Sequence, residues 1–352
     1  MFVGHSLFAF ALVALVASRG AGVDDRRALA LGAIAGAFAA VPDADMAYAL
    51  SGVLDLLLGD ATAGGDGAFA VTGAFWAAST AVHRSMTHSI VVAPVAALGF
   101  ALLAVRGRRA RPAAVVGVGV LAALAVAAAT LHGGLGLFVF VAFAVAGAVV
   151  ATVVRTLTEA SATTTFALAV AGLVTHPFGD VFTGDPPALL WPLDAVVLDA
   201  RVVLAADPTL HLLGAFAVEL AVVAVALLVY ADLTGRALDV RPRSVAGLAY
   251  GGAVLVLPPP TLEVSYQFVF TILALGVVTA TQPLGRRLLG RSVLQFRQPR
   301  LPGAPAWPGA TAVGRRAATA VDEDAALAAA TTGVATVALA LLAYATGYLV
   351  LA

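Results

Sequence analysis

Ten stretches of the chain are apolar over most of a helix length: residues 2–18, 27–42, 88–105, 112–131, 134–154, 160–178, 209–230, 244–258, 264–282 and 325–351. They are rich in Ala, Leu and Val and do not alternate apolar with polar, so they predict helices and exclude a barrel of strands. A membrane span needs about 20 mostly apolar residues, and only helices or closed barrels satisfy their backbone in hydrocarbon. The pattern predicts an all-α, polytopic integral membrane helix bundle with about ten transmembrane helices. The second and eighth stretches are short, which suggests tilt or partial burial in the interface. Residues 46–58, with Asp55 among them, read as a helix lying in the interface, and 69–87 is amphipathic at best. No internal repeat is evident.

Composition strengthens this reading. The chain is 61% hydrophobic and 11% charged, whereas soluble domains run at about 45–50% apolar and about 25% charged. A soluble enzyme, a nucleic-acid binder held by a basic face and a disordered chain are thereby excluded. Every basic side chain other than His is Arg, and twenty of these balance twenty acids, so no polyanionic partner is expected. The absence of Cys removes disulfides, thiolate metal sites and a Cys nucleophile. The first stretch starts directly at Met1 without a basic n-region or a convincing cleavage site, so it is expected to be a retained span.

Charge then orients the helices. With the N-terminus outside, the loops at 19–27, 106–111, 155–159, 231–243 and 283–324 face the cytoplasm and hold eighteen of the twenty Arg. Only Arg84 and Arg201 fall on the other face, as the positive-inside rule predicts. The 283–324 segment reads as a flexible cytoplasmic linker able to touch anionic headgroups.

On the face opposite the arginines the same topology gathers histidines and acids from four distant segments. His5 opens the first helix, and Asp43 and Asp45 follow Pro42 at the end of the second. His83, Arg84, Ser85, Thr87, His88 and Ser89 precede or open the third, while His176 and Asp180 close the sixth. Neutral imidazole together with carboxylate suits Zn²⁺ first, with Mn²⁺ and Fe²⁺ as alternatives, and suits Ca²⁺ or Mg²⁺ poorly. His5, Asp43, Asp45, His83, His88, His176 and Asp180 are therefore the candidate ligands of one or two divalent transition metal ions. Ser85, Thr87 and Ser89 are placed to orient ligands. Arg84 is placed to clamp a phosphate or an anionic transition state. Asp45 or Asp180, if not a ligand, is the expected general base. His132 and His211 read as interfacial residues and stay outside the site. Asp55, Asp60 and Asp66 read as solvated loop charges. Trp76 and Trp191 fit an outer aromatic belt. Glu219, inside the seventh helix, is a functional candidate by its depth alone or a partner for a polar group.

A His near the N-terminus, Pro42-Asp43-Ala44-Asp45, His83-Arg84-Ser85-Met86-Thr87-His88-Ser89 and His176-Pro177-Phe178-Gly179-Asp180 together resemble the YdjM-like family. Its members are LexA-regulated inner-membrane proteins described as metal-dependent hydrolases. The motifs cover roughly residues 1–195, and the resemblance implies membrane residence and metal-dependent hydrolysis. The organisation expected is a metal-site membrane domain (1–195), additional transmembrane helices (196–282), an Arg/Pro/Gly-rich cytoplasmic loop (283–324) and a C-terminal transmembrane helix (325–352).

Three functions compete. The leading one is a multi-pass membrane hydrolase whose extracytoplasmic metal site acts on a phosphoester or lipid headgroup, with membrane lipids and a small-molecule or lipid substrate as partners and no nucleic acid. A transporter or metal-ion carrier would use the same cluster, although such sites usually sit near the bilayer midplane between repeats. A non-catalytic membrane scaffold would act through the 283–324 loop.

Overall fold

Among the residues that the computed structural model describes (2–58, 71, 74–75, 84–295 and 322–351), regular structure is helical and no strand occurs. The α-helices are α1 (Phe2–Leu15), α2 (Asp25–Ala39), α3 (Ala49–Leu58), α4 (Val92–Leu103), α5 (Ala110–Leu157), α6 (Ala162–Thr175), α7 (Pro177–Asp180), α8 (Pro208–Thr234), α9 (Tyr266–Gln295) and α10 (Glu323–Leu351). Among the described residues, five helical stretches are long and apolar enough to cross a membrane, namely Val3–Gly20, Asp25–Leu58, Gly107–Leu157, Pro208–Thr234 and Glu323–Leu351. Val92–Leu103 and Tyr266–Thr281 are shorter apolar helices. The chain is an all-α membrane bundle.

Helix starts follow local chemistry. The Asp24 carboxylate accepts from the Arg27 amide at 3.0 Å, and the Ser161 hydroxyl oxygen accepts from the Thr164 amide at 3.0 Å. Each satisfies one of the amides that a helix N-terminus leaves open.

The two stretches expected at 112–131 and 134–154 appear as α5, broken at Gly133 (φ 66°, ψ −154°), a conformation that glycine adopts without a Cβ clash. A straight helix would hold Leu121 and Gly147 about 39 Å apart. Both instead lie against α4, at Gly99 and the Phe100 ring, so α5 is a hairpin.

Two units are distinguishable, Met1–Thr234 and Gly235–Ala352. In the first, Phe38, Phe100, Phe143 and Phe140 form a chain of rings with centroids 6.0, 5.7 and 5.4 Å apart in that order. Lipid tails are as apolar as Leu, so helices in a bilayer are joined by close packing of small residues. That is how α1, α2 and α6 meet. A Cβ on Gly36 of α2 would lie 2.7 Å from the Ser6 carbonyl of α1, and one on Gly172 of α6 would lie 2.4 Å from the Ala35 carbonyl of α2.

Helix α8 runs parallel to α1. Glu219 meets Gly4 at one end, and Asp232 pairs with Arg19 at 2.6 Å at the other. Because α8 starts about 16 Å before Glu219, it overshoots the N-terminal end of α1. Helix α3 leaves Leu50, Leu54, Leu57 and Leu58 exposed, an apolar face suited to the interfacial placement expected of 46–58.

In the second unit the eighth stretch is not an α-helix but a 3₁₀ helix, Pro242–Leu255. At about 2.0 Å per residue it reaches about 28 Å, where the same residues in an α-helix would reach about 21 Å. The tighter winding therefore makes good the shortness of this stretch against a hydrocarbon core of about 30 Å. Its Gly247 lies directly against the Thr336 carbonyl of α10. The Thr279 and Thr336 hydroxyls pair at 2.8 Å between α9 and α10, and Tyr344 packs its ring 4.9 Å from Phe268. Arg236 is paired with Glu323 and Asp324. Helix α9 continues to Gln295, so the linker expected at 283–324 starts as helix, and its 296–321 portion lies outside the described residues.

Candidate metal centre

The candidate residues converge because four helices end at one level. Pro cannot continue a helix, so Pro42 follows the end of α2 and opens a 3₁₀ turn, Pro42–Tyr48, that carries Asp43 and Asp45 in its first turn. Pro177 likewise ends α6 and starts α7. The helical path continues across it, which places His176 and Asp180 on one side with Nε2 and Oδ2 3.7 Å apart. Arg84 takes a left-handed backbone (φ 68°), an unfavourable conformation for a residue with a side chain. The short 3₁₀ turn Met86–His88 follows it and leads into α4. His5 projects from the first turns of α1, and its ring centroid lies 4.2 Å from that of His176.

Asp45, His88 and His176 are fully buried, and His5 and Asp180 nearly so. His176 Nδ1 lies 2.7 Å from the Ala39 carbonyl. A carbonyl only accepts, so Nδ1 carries the proton and Nε2 keeps its lone pair. His88 is constrained in the same way through Thr87. The Thr87 hydroxyl donates to Asp45 Oδ2 at 3.0 Å, and its oxygen lies 2.9 Å from His88 Nδ1. With its hydrogen committed to the carboxylate, Thr87 accepts from His88 Nδ1, and His88 Nε2 becomes the lone-pair nitrogen. The two Nε2 atoms face each other at 3.0 Å. Two lone pairs so placed repel in isolation and attract around a cation.

Acidic oxygens complete the surroundings. Asp180 Oδ2 lies 3.2 Å from His88 Nε2, and Asp43 Oδ1 lies 3.5 Å from His176 Nε2. Ligands at about 2.0–2.1 Å around a tetrahedral Zn²⁺ stand about 3.3 Å from one another. The separations of 3.0 to 3.7 Å bracket that value. Asp43 Oδ2 and Asp180 Oδ2 are buried without a hydrogen bond, and a buried carboxylate oxygen is costly in that condition. The residues present therefore fit a divalent cation. Two overlapping triads are able to hold one, His5–His176–Asp180 and Asp43–His88–His176.

Asp180 is the hub. Its Oδ1 accepts from Arg84 Nη2 at 2.9 Å and lies 3.4 Å from His5 Nε2. Burial alone would raise this carboxyl. The hydrogen bond from His5 and the charge of Arg84 oppose it and hold Asp180 far below the usual carboxylate range. Arg84 also donates from Nη2 to the Thr183 hydroxyl and from Nη1 to the carbonyls of Asp180 and Asp185. These bonds offset its strained backbone. The guanidinium expected as an anion clamp thus rests mainly on the 180–185 turn.

Of the remaining expected residues, Asp45 stands behind Thr87, 3.8 Å from His88 Nδ1. Ser89 donates to the Trp191 carbonyl at 2.6 Å and accepts from the Val92 amide. His83 and Trp76 lie outside the described residues. His132 and His211 stay out of the cluster and instead pin the segment between Phe182 and Leu204. His132 Nε2 accepts from Trp191 Nε1 at 2.8 Å. His211 Nδ1 accepts from the Leu204 amide, so its Nε2 donates to the Phe182 carbonyl at 3.0 Å.

Two contributors carry no chemical signal in sequence. The Ala39 carbonyl selects the His176 tautomer, and Gly179 admits His5, since a Cβ there would lie 2.3 Å from His5 Nδ1. Replacing Thr87 with Val keeps the shape but breaks the link from Asp45 to His88. Outer partners of metal-binding histidines are worth about 10–100-fold in affinity, and a loss of that size is expected by calorimetric titration with Zn²⁺. An unchanged affinity would remove Thr87 from the tautomer argument.

No curated protein and no solved structure matches the chain. A family model does match, over residues 1–257, a range that contains every residue of this cluster and also α8. Its description, YdjM inner membrane protein, agrees with the bundle of apolar helices and with the motifs of the first half of the chain. On that match, the chain belongs to the YdjM inner membrane protein family and is a multi-pass membrane protein.

Proposed function

We propose that the protein is a membrane-embedded metal-dependent hydrolase. Its ion would be held by Asp43, His88, His176 and Asp180, with His5 completing the cluster beside Asp180. The observation that carries this reading is the pair of imidazole Nε2 atoms facing each other at 3.0 Å, each with its Nδ1 committed elsewhere. Zn²⁺ is the preferred ion, with Mn²⁺ and Fe²⁺ as alternatives, because the donors mix imidazole with carboxylate. When bound, such an ion supplies a Lewis acid and lowers the pKa of a coordinated water to about 7.

The chain's own groups divide the remaining work. Thr87 and the Ala39 carbonyl hold the two imidazoles in one tautomer. Arg84 fixes the orientation of Asp180. Asp45 keeps its carboxylate on Thr87, and Asp180 Oδ1 is occupied by Arg84. Of the two carboxylate oxygens without a hydrogen bond, Asp43 Oδ2 and Asp180 Oδ2, that of Asp43 belongs to the more open side chain and is the acceptor for a proton from an attacking water. Asp43 and Arg84 are about 10% exposed, the most open members of the cluster, and mark the side from which substrate arrives. A phosphoester, free or in a lipid headgroup, suits a site where the Arg84 cation stands beside the metal ligands. The distribution of Arg supports an extracytoplasmic position for this end of the bundle.

Elemental analysis of detergent-purified protein tests the reading. One or two equivalents of a transition metal are expected, lost in the His88→Ala/His176→Ala double variant, and would justify a phosphoester screen. Absence of metal after reconstitution with Zn²⁺ and Mn²⁺ would sink it. Because the chain has no Cys, a single-cysteine variant at Asp199 reports the orientation directly. Labelling by a membrane-impermeant thiol reagent in intact cells is expected there, and labelling only after lysis would reverse the topology.

A further inference from the structure

Glu219 sits between Val218 and Leu220 in α8, and among the described residues its carboxylate hydrogen-bonds no other side chain. Its Oε1 accepts from the backbone amide of Gly4 at 2.9 Å. Helix α1 begins at Phe2, so the Gly4 amide is one of the first four, which have no partner within the helix. Gly4 is buried, so its amide is costly to leave without an acceptor. The carboxylate therefore supplies both the missing acceptor and a negative charge at the positive end of the helix dipole. The fit is close: a Cβ on Gly4 would lie 2.3 Å from Glu219 Oε2. One residue further along is His5, whose Nε2 stands 3.4 Å from Asp180 Oδ1.

We propose that Glu219 is a positioning residue of the metal centre, which seats the first turn of α1 against α8 and thereby sets His5 against Asp180. The inference rests on the metal-centre reading and extends it to a helix that carries none of the ligands. Its force comes from the covalent step between Gly4 and His5. Consecutive Cα atoms are about 3.8 Å apart, so an amide held at residue 4 leaves the adjoining Cα little freedom. The opposite wall of the His5 pocket is Gly179, which leaves no slack for the ring. His5 is thus held between a backbone anchor on one side and α7 on the other. Loss of the anchor should be felt in the metal site before it is felt in the fold.

The test is a double-mutant cycle of Zn²⁺ affinity on the detergent-purified full chain, with thermal unfolding followed in parallel. Glu219→Leu is expected to weaken Zn²⁺ binding by about 10–100-fold, the range for outer partners of metal ligands. Glu219→Gln, which keeps an amide oxygen for Gly4, is expected to restore most of it. In a His5→Ala background Glu219→Leu should cost nothing further, because it acts through His5. The spectrum of the Co²⁺-loaded protein should change in the same way in Glu219→Leu and His5→Ala. Wild-type binding with an unaffected Glu219→Leu variant overturns the inference alone, as do effects of Glu219→Leu and His5→Ala that simply add. A wild type that binds no metal overturns the metal-centre reading, and this inference with it.

Discussion

Asp180→Ala is expected to abolish metal binding and to destabilise the protein by about 3–5 kcal/mol, the usual cost of removing one partner of a buried ion pair. The carboxylate is shared among His5, His88, His176 and Arg84, so its loss withdraws a ligand and leaves the Arg84 guanidinium without its counter-charge. Asp180→Asn separates the two effects. The amide oxygen still accepts from Arg84, so most of the stability should return, while the neutral side chain remains a poor ligand. Metal affinity in that variant should fall by more than the about 10–100-fold assigned to outer partners. Because Asp180 is held far below the usual carboxylate range, its stabilising contribution is complete above about pH 4 and fades only as pH falls toward that lowered value. Wild type should therefore remain the more stable of the two across the neutral range, as thermal unfolding at several pH values will show. A gap that closes between pH 8 and pH 6 would contradict the proposed hub.

Gly172→Ala should be the most damaging single methyl in the site-bearing unit. Its Cβ would lie 2.4 Å from the Ala35 carbonyl and 2.7 Å from the Ala39 amide. Both are backbone atoms of α2, so no side chain can swing aside, and the two helices must separate. Overpacking of this kind costs about 1–3 kcal/mol. The separation also draws the Ala39 carbonyl away from His176 Nδ1, now 2.7 Å distant. Stability and Zn²⁺ affinity should consequently fall together. Gly119→Ala is the control: this glycine is exposed on α5 with nothing within 4 Å of its Cβ position. Alanine there should be neutral or stabilising by up to about 1 kcal/mol through helix propensity, with affinity untouched. Equal behaviour of the two variants would mean that the contact between α2 and α6 does not govern the site.

The bilayer explains why so much was legible beforehand. A hydrocarbon core demands long apolar helices and forces polar groups to their ends, so runs of Ala, Leu and Val locate the helices. The four motif segments then fall at helix ends of one level. His5, Asp43, His88, His176 and Asp180 could be named from those motifs before any packing was known. The same reasoning kept His132 and His211 outside the site, where they anchor the 182–204 segment. It could not show that 242–255 winds as a 3₁₀ helix, since apolar stretches of similar composition serve either winding. Nor could it assign Glu219, because a carboxylate in an apolar helix signals only that a partner exists.

By itself, then, the sequence determined that this is an α-helical membrane protein and which His and Asp residues gather at one end. These follow from composition and spacing along a single dimension. Only the tertiary structure decided which imidazole nitrogen is presented, which carboxylate is the hub, and that Ala39 and Gly179 stand against the cluster. Those depend on distances of a few tenths of an ångström between helices remote in sequence. They are set by how closely Gly4, Gly36 and Gly172 let one helix approach another, which no local pattern encodes.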